Sequence, residues 1–114
     1  MVFNKFPGRI FLAIGITDMR KSINGLGQIV VSDFKLELFN SDFFVFCNRR
    51  RDIIKILFWD KNGFCIWKKR LEKERFHWPK SQSEVIHIGR NQLSWLLAGL
   101  DISKAHKKLT YKAL

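Results

Sequence analysis

The stretch IIKILFWDKNGFCIWKK, residues 53–69, decides the fold. Two apolar runs flank the sequence DKNG, and an Asn-Gly pair between such runs is a strong short-range signal for a hairpin. The stretch therefore predicts two antiparallel strands. Their register depends on the turn: a two-residue turn at Asn62-Gly63 places Leu57 opposite Lys68, whereas a four-residue turn places Leu57 opposite Ile66.

Either register gives the hairpin two unlike faces, because side chains alternate along a strand. One face mixes cations with aromatic rings and carries Lys55, Leu57, Trp59, Phe64, Ile66, Lys68 and Arg70. The other is apolar apart from Lys69 and carries Ile54, Ile56, Phe58, Cys65 and Trp67. We expect the apolar face to form the core. The mixed face has the composition of surfaces that bind nucleic acid by stacking and charge, although a solvated strand face also shows lysines.

The rest of the chain predicts an α+β domain. Strands are expected at 9–14, 42–47, 76–78 and 85–88, and helices from Met19, with Thr17 as N-cap, and from about Asn91. Residues 31–40 fit either an irregular connector or a second short helix. The order β-α-β-β-β-β-β-α predicts a mostly antiparallel sheet of about five strands with two packed helices.

Length and composition limit the class of protein. With 114 residues, 46% of them hydrophobic, the chain is long enough for one domain with a real core, which we place at residues 1–102, followed by a basic tail at 103–114. No apolar run reaches the length of a membrane span, and the first residues do not resemble a signal peptide. These features predict a cytoplasmic protein in which Cys47 and Cys65 stay reduced.

The formal net charge of +11 points to a polyanion or an acidic protein as partner. Residues 49–80 hold eleven basic and four acidic residues, and the tail adds four lysines. The triplet Arg49-Arg50-Arg51 is the strongest hint, because three adjacent like charges contribute little to folding. Arg20 and Lys21, expected in the first turn of a helix, form a second cationic site. The candidate nucleic-acid-binding residues are Arg20, Lys21, Arg49, Arg50, Arg51, Lys55, Trp59, Lys68, Lys69 and Arg70.

Catalytic motifs are missing from the sequence. The three histidines are scattered, no spacing suits a structural zinc site, and no glycine-rich phosphate loop is present. The aspartates fall at turns, where this residue type is common in any case. We therefore expect no enzymatic activity, no metal, no cofactor and no small-molecule substrate.

Three blocks of sequence resemble a known family. They are GITDMRK at 15–21 with Gly25-Leu26, then FVFCNRRRD at 44–52 with KILFWDKNGF at 55–64 and the KRLEK and Trp78-Pro79 that follow, and finally Gln92-Leu93 with Leu96-Leu97 and Gly99-Leu100-Asp101. The chain resembles the second-open-reading-frame accessory proteins, called TnpB, of IS66-type bacterial insertion sequences. Ile53 and Glu74 depart from the family pattern, which commonly has a basic residue and glycine there.

The resemblance implies a protein needed for transposition beside a larger transposase that carries the catalytic acids. It is not the RNA-guided nuclease of the same name, for which this chain is too short. The partners that it implies are the transposase and a sister accessory protein of the same element. Together with the basic surface, it predicts a non-catalytic accessory factor that binds DNA with little sequence preference. The alternatives are an adaptor that binds those proteins, and RNA in place of DNA.

Overall fold

The computed structural model describes residues 8–102 and 112–113, and its strands form a single sheet. The elements in chain order are β1 (Ile10–Ala13), α1 (Ile23–Gln28), β2 (Phe43–Cys47), β3 (Ile53–Asp60), β4 (Gly63–Arg70), β5 (Val85–Ile88), α2 (Arg90–Leu97) and β6 (Lys112–Ala113). The strand order across the sheet is β4-β3-β2-β1-β5-β6. Among the strands of these described residues, β1 and β2 alone pair in parallel, and α1 lies in the connection between them. The predicted α+β class with a mostly antiparallel sheet is confirmed.

The hairpin of β3 and β4 adopts the register of the four-residue turn. Leu57 lies opposite Ile66. The pairing continues as far as Asp60 and Gly63, so Lys61 and Asn62 form the connection. Lys61, at the first position of the connection, has a φ of 54°, in the left-handed region. Because β4 is at the edge of the sheet, its outer backbone and its exposed side chains face solvent.

Both faces of the sheet bury apolar side chains. The face of Ile54, Ile56 and Phe58 lies in the core, as the sequence predicts, in one cluster with the leucines of α2. The mixed face is covered too: Leu57 is fully buried in a cluster with Leu26 and Val30, which come from α1 and the π-helical turn at Ile29–Asp33 that follows it. The cations of this face are therefore confined to the part of the hairpin that α1 leaves open.

The first helix begins four residues later than the sequence predicts. Its N-cap is Ser22, and Thr17 is instead buried, with its backbone N–H donating to the Cys47 carbonyl at 2.9 Å. A turn closed by the Lys21 N–H and the Asp18 carbonyl, 3.1 Å apart, precedes the helix. Arg20 and Lys21 thus lie in this turn, and the prediction that they occupy the first helical turn is wrong.

Residues 76–78 are buried in part but do not form the predicted strand. Phe76 and Trp78 enter the core, and the Trp78 indole Nε1–H donates to the Ala13 carbonyl at 3.0 Å. The alternation that resembles a strand arises because these two side chains point inward while His77 is exposed. Their backbone bonds run to a turn carbonyl, that of Arg51, and within the segment.

Two further segments bear on the predictions. Of residues 31–40, the first three belong to the π-helical turn, and 34–40 contain no helix, so the irregular connector is the correct alternative for most of this region. Of the predicted tail at 103–114, only 112–113 lie within the described residues, where they pair with β5. Across the described ranges, no helix is both long and apolar enough to cross a membrane.

Candidate nucleic-acid interface

A groove of about 590 Å³ lies between the loop Ile16–Arg20 and the turn Asn48–Arg50, and we call it the arginine groove. The Thr17–Cys47 backbone bond holds the loop against the end of β2, from which the turn begins. The groove thereby brings Arg20 together with Arg49 and Arg50, two cationic segments that are far apart in the sequence.

The side chain of Asn48 organises the arginine turn. Its carbonyl oxygen Oδ1 accepts the backbone N–H groups of Asp52 and Ile53 at 3.1 and 3.0 Å, and its Nδ2 donates to the Asp52 carboxylate at 2.7 Å. Because this amide satisfies the turn internally, Arg49 and Arg50 are left exposed. Arg50 Nε lies 3.9 Å from Oδ2 of the half-buried Asp52, a long distance for an ion pair. Arg49 makes no side-chain hydrogen bond or ion pair within the described residues.

Asp18 holds Arg20 at the other wall of the groove. The carboxylate accepts two bonds from Arg20 Nε, at 3.0 and 3.1 Å, and one from Nη2 at 2.7 Å. The Arg20 side-chain bonds, followed by its backbone N–H, lower the pKa of Asp18 to about 2. The carboxylate therefore uses some of the hydrogen-bond donors of the Arg20 guanidinium. The Arg20 side chain is nevertheless 91% exposed.

Two of the candidate lysines bind backbone carbonyls of the protein itself. Lys55 Nζ donates to the carbonyls of Met19 and Lys21 at 2.7 and 2.8 Å, which anchors the loop before α1. Lys69 Nζ donates at 2.8 Å to the carbonyl of Leu97, in the last turn of α2, where a cation is favourable. These two lysines position structural elements.

Arg51 turns away from the arginine groove. It has a φ of 60°, and its guanidinium carbon lies 5.9 Å from the centroid of the Trp78 ring. Burial raises the pKa of the neighbouring Cys47 to about 11, against the opposing effect of the Arg51 guanidinium, so this thiol stays protonated at neutral pH. Cys47 and Cys65 are both free, as the sequence predicts.

Lys21, Lys68 and Arg70 form what we call the basic track. Lys68 and Arg70 share one face of the edge strand β4, and Lys68 lies directly opposite Lys55. Since the Lys55 ammonium binds the Lys21 carbonyl, the backbone of Lys21 lies close to the Lys55–Lys68 pair of the hairpin. Lys21 and Lys68 are exposed, whereas Arg70 is paired with Glu72 at 3.1 Å on the surface.

Trp59 belongs to an aromatic cluster with Phe39 and Phe64. The Phe39 ring centroid lies 5.2 Å from that of Trp59 and 5.1 Å from that of Phe64, in tilted or edge contacts. Trp59 is half-buried, but Phe39 is 71% exposed. Phe39 is not among the residues that the sequence predicts for the interface, because it lies in the connector that forms no regular element. A signal was present: Phe34, Leu36 and Leu38 alternate with Lys35 and Glu37, and Phe39 falls on the exposed side of this alternation.

The described residues contain no group of three or more His, Cys, Asp or Glu side chains that could hold a metal ion. The charged groups of the arginine groove are Arg20, Arg49, Arg50 and Asp18, with Asp52 behind the turn. Hydrogen bonding from Asn48 lowers the pKa of Asp52. This arrangement is suited to holding an anion through guanidinium groups, each of which can give two parallel hydrogen bonds to a phosphate.

Comparison of the sequence with known proteins finds a matching family and similar proteins. The family described as "IS66 Orf2 like protein" matches residues 8–107. The chain is similar to the uncharacterized protein y4hO of Sinorhizobium fredii, with 38% identity over 93 residues, 82% of this chain and 81% of the relative. It is also similar to the uncharacterized protein y4jC of the same organism, with 32% identity over 100 residues, 88% and 86% of the two chains. No solved structure matches.

Proposed function

The chain belongs to the IS66 Orf2-like family of insertion-sequence accessory proteins, and from that premise we propose that it binds DNA, without catalysing a reaction, through the arginine groove. In this proposal Arg20, Arg49 and Arg50 contact phosphates, and the basic track extends the contact along the sheet edge. Lys55, Lys69 and Arg51 position the elements that carry these residues.

The observation that carries the proposal is the convergence of Arg20, Arg49 and Arg50 on one groove. Three guanidinium groups from two separate segments outnumber the one carboxylate in the groove, that of Asp18, so the groove keeps a net positive charge that favours an added anion. Arg49 has no acidic neighbour within hydrogen-bonding distance in the described part of the chain. Phosphate contacts of this kind fix position and give affinity, but they do not read base sequence.

The direct test is the salt dependence of binding to duplex DNA. Fluorescence anisotropy with labelled duplexes of unrelated sequence should show similar affinities, with log K falling linearly as log[salt] rises. We expect a slope of about −3 to −5, from three guanidiniums plus the basic track at roughly −0.9 per phosphate neutralised. Absence of binding at low salt, or binding that is indifferent to salt, would overturn the proposal.

A basic groove could also receive an acidic surface of the transposase or of a sister accessory protein. Co-purification from cells treated with nuclease separates the two roles. Under the proposal, the complex is bridged by DNA and is lost after nuclease treatment. A complex that survives, combined with no DNA binding by the purified protein, would assign the groove to an adaptor function.

Asp18 should restrain DNA binding, because its carboxylate competes with phosphate for Arg20. We expect Asp18→Asn to tighten duplex binding roughly threefold at low salt and to lose that advantage at high salt. The amide can still accept the Arg20 backbone N–H, so the loop should remain folded. Weaker binding by this variant would show that Asp18 chiefly orients Arg20.

The pKa of Asp18 provides a second check on the same contact. An NMR titration of the carboxyl carbon should give a midpoint near 2, and Arg20→Gln should return it toward the ordinary value of 3.8. Because the folded-state pKa is lowered, the contact stabilises the fold above the ordinary pKa. That contribution is lost as the pH falls toward 2. A midpoint near 3.8 in the unchanged protein would contradict the geometry.

Lys68 and Lys69 are neighbours in sequence with different expected roles. Lys69→Met should lower the free energy of unfolding by about 1–2 kcal/mol, because the Leu97 carbonyl loses a charged donor. Lys68→Met should change stability by less than about 0.5 kcal/mol. It should instead weaken DNA binding about fivefold through loss of one phosphate contact. Denaturant unfolding and anisotropy on both variants check this pair, and equal effects on stability would refute the assignment.

A further inference from the structure

We infer that this protein prefers an unpaired DNA strand to a duplex, with Phe39 as the platform on which a base stacks. The inference rests on the proposed function, since it takes the same phosphate contacts as given. It adds a second element, the aromatic cluster of Phe39, Trp59 and Phe64, and assigns to it the recognition of a base that is not paired.

Phe39 is the most exposed of the large apolar side chains in the described residues. A phenylalanine that served only the core would be buried, whereas this one leaves 71% of its surface in water. Its edge contacts with Trp59 and Phe64 fix the ring in place without covering it. A fixed, accessible aromatic ring is what single-stranded nucleic-acid sites use, because every base has a face that can stack.

The aromatic cluster is connected to the cationic residues by the edge strand. Alternation places Phe64, Ile66, Lys68 and Arg70 on one face of β4, which spans about 20 Å at roughly 3.3 Å per residue. The row therefore starts at an aromatic ring and ends in cations. The Lys21 carbonyl binds Lys55, the residue opposite Lys68, and Arg20, which precedes Lys21, lines the arginine groove.

The charges also indicate which part of a DNA strand the aromatic cluster and the cationic residues would each contact. Around the cluster, exposed Lys35 and Lys61 are balanced by exposed Glu37 and Asp60, so this end of the face has little net charge. An uncharged base suits this end, whereas phosphates suit the basic track and the arginine groove. A duplex keeps its bases stacked inside and cannot offer one to Phe39, so only an unpaired strand can use both regions.

The experiment compares three labelled probes at one salt concentration: a 20-nucleotide oligothymidine, a 20-base-pair duplex, and a 20-nucleotide strand of abasic residues. The unchanged protein should bind oligothymidine more tightly than the duplex, and about tenfold more tightly than the abasic strand. Tighter binding of the duplex than of oligothymidine would overturn the preference. Phe39→Ala should remove that advantage while leaving duplex and abasic binding unchanged. Phe39→Trp should restore it. Leu100→Ala, which alters another exposed apolar residue, is the matched control and should leave all three affinities unchanged.

The outcomes separate this inference from the proposed function. If Phe39→Ala binds oligothymidine like the unchanged protein, or weakens all three probes equally, the stacking role is overturned while DNA binding by the groove stands. If the unchanged protein binds no duplex at low salt, the proposed function fails first. A 20-nucleotide oligouridine serves as a fourth probe, and tighter binding of it than of oligothymidine would overturn the assignment to DNA.

Discussion

Replacing Arg20, Arg49 and Arg50 by glutamine should weaken duplex binding about a hundredfold at moderate salt and reduce the salt slope by about 3. The reason is that each guanidinium in the arginine groove neutralises a phosphate and releases a counterion. Fold and stability should change little, because all three side chains are exposed, the contact of Arg20 with Asp18 lies on the surface, and the turn is held by the amide of Asn48. Anisotropy over a range of salt concentrations gives both quantities.

The matched control removes the same charge from other positions. Lys61, Lys73 and Lys80 are exposed and do not line the groove, so the variant carrying glutamine at these three sites has the same net charge as the groove variant. We expect it to keep most of the affinity. If both variants lost affinity equally, binding would depend on overall charge and the groove would have no special role.

Trp78→Ala should destabilise the protein by about 3–5 kcal/mol, a large part of the stability of a domain of this size. The indole is buried, donates to the Ala13 carbonyl at 3.0 Å, and lies against the Arg51 guanidinium. Its loss leaves a cavity beside β1 and removes a link between residues 76–78 and the sheet. Thermal and denaturant unfolding measure the change.

Two neighbouring variants make this result specific. Trp78→Phe keeps most of the ring but loses the hydrogen bond, so we expect a smaller cost of about 1–2 kcal/mol. His77→Ala alters an exposed side chain and should stay within about 0.5 kcal/mol. A loss at His77 as large as that at Trp78 would show that residues 76–78 contribute through their backbone and not through the buried indole.

Local chemistry explains which structural predictions hold. The hairpin is encoded by Asn62-Gly63 and by alternation over a few residues, and the leucine stripe of α2 by its helical spacing. Both need only short-range information. The predicted start of α1 is wrong because the turn closed by the Asp18 carbonyl takes the place of the helical turn that Thr17 would have capped. The strand predicted at 76–78 is wrong because two inward-pointing aromatic residues give a strand-like alternation, although the described structure pairs no strand with this segment.

The sequence by itself determined the α+β class, the hairpin, the family resemblance and the concentration of positive charge. Only the tertiary structure decided which cations are available to a partner. It assigns the ammonium groups of Lys55 and Lys69 to backbone carbonyls, brings Arg20 beside Arg49 and Arg50, and leaves Phe39 exposed. The physical reason is range: turn chemistry and alternation act over a few residues, whereas these contacts join residues that the chain brings together only when the sheet forms.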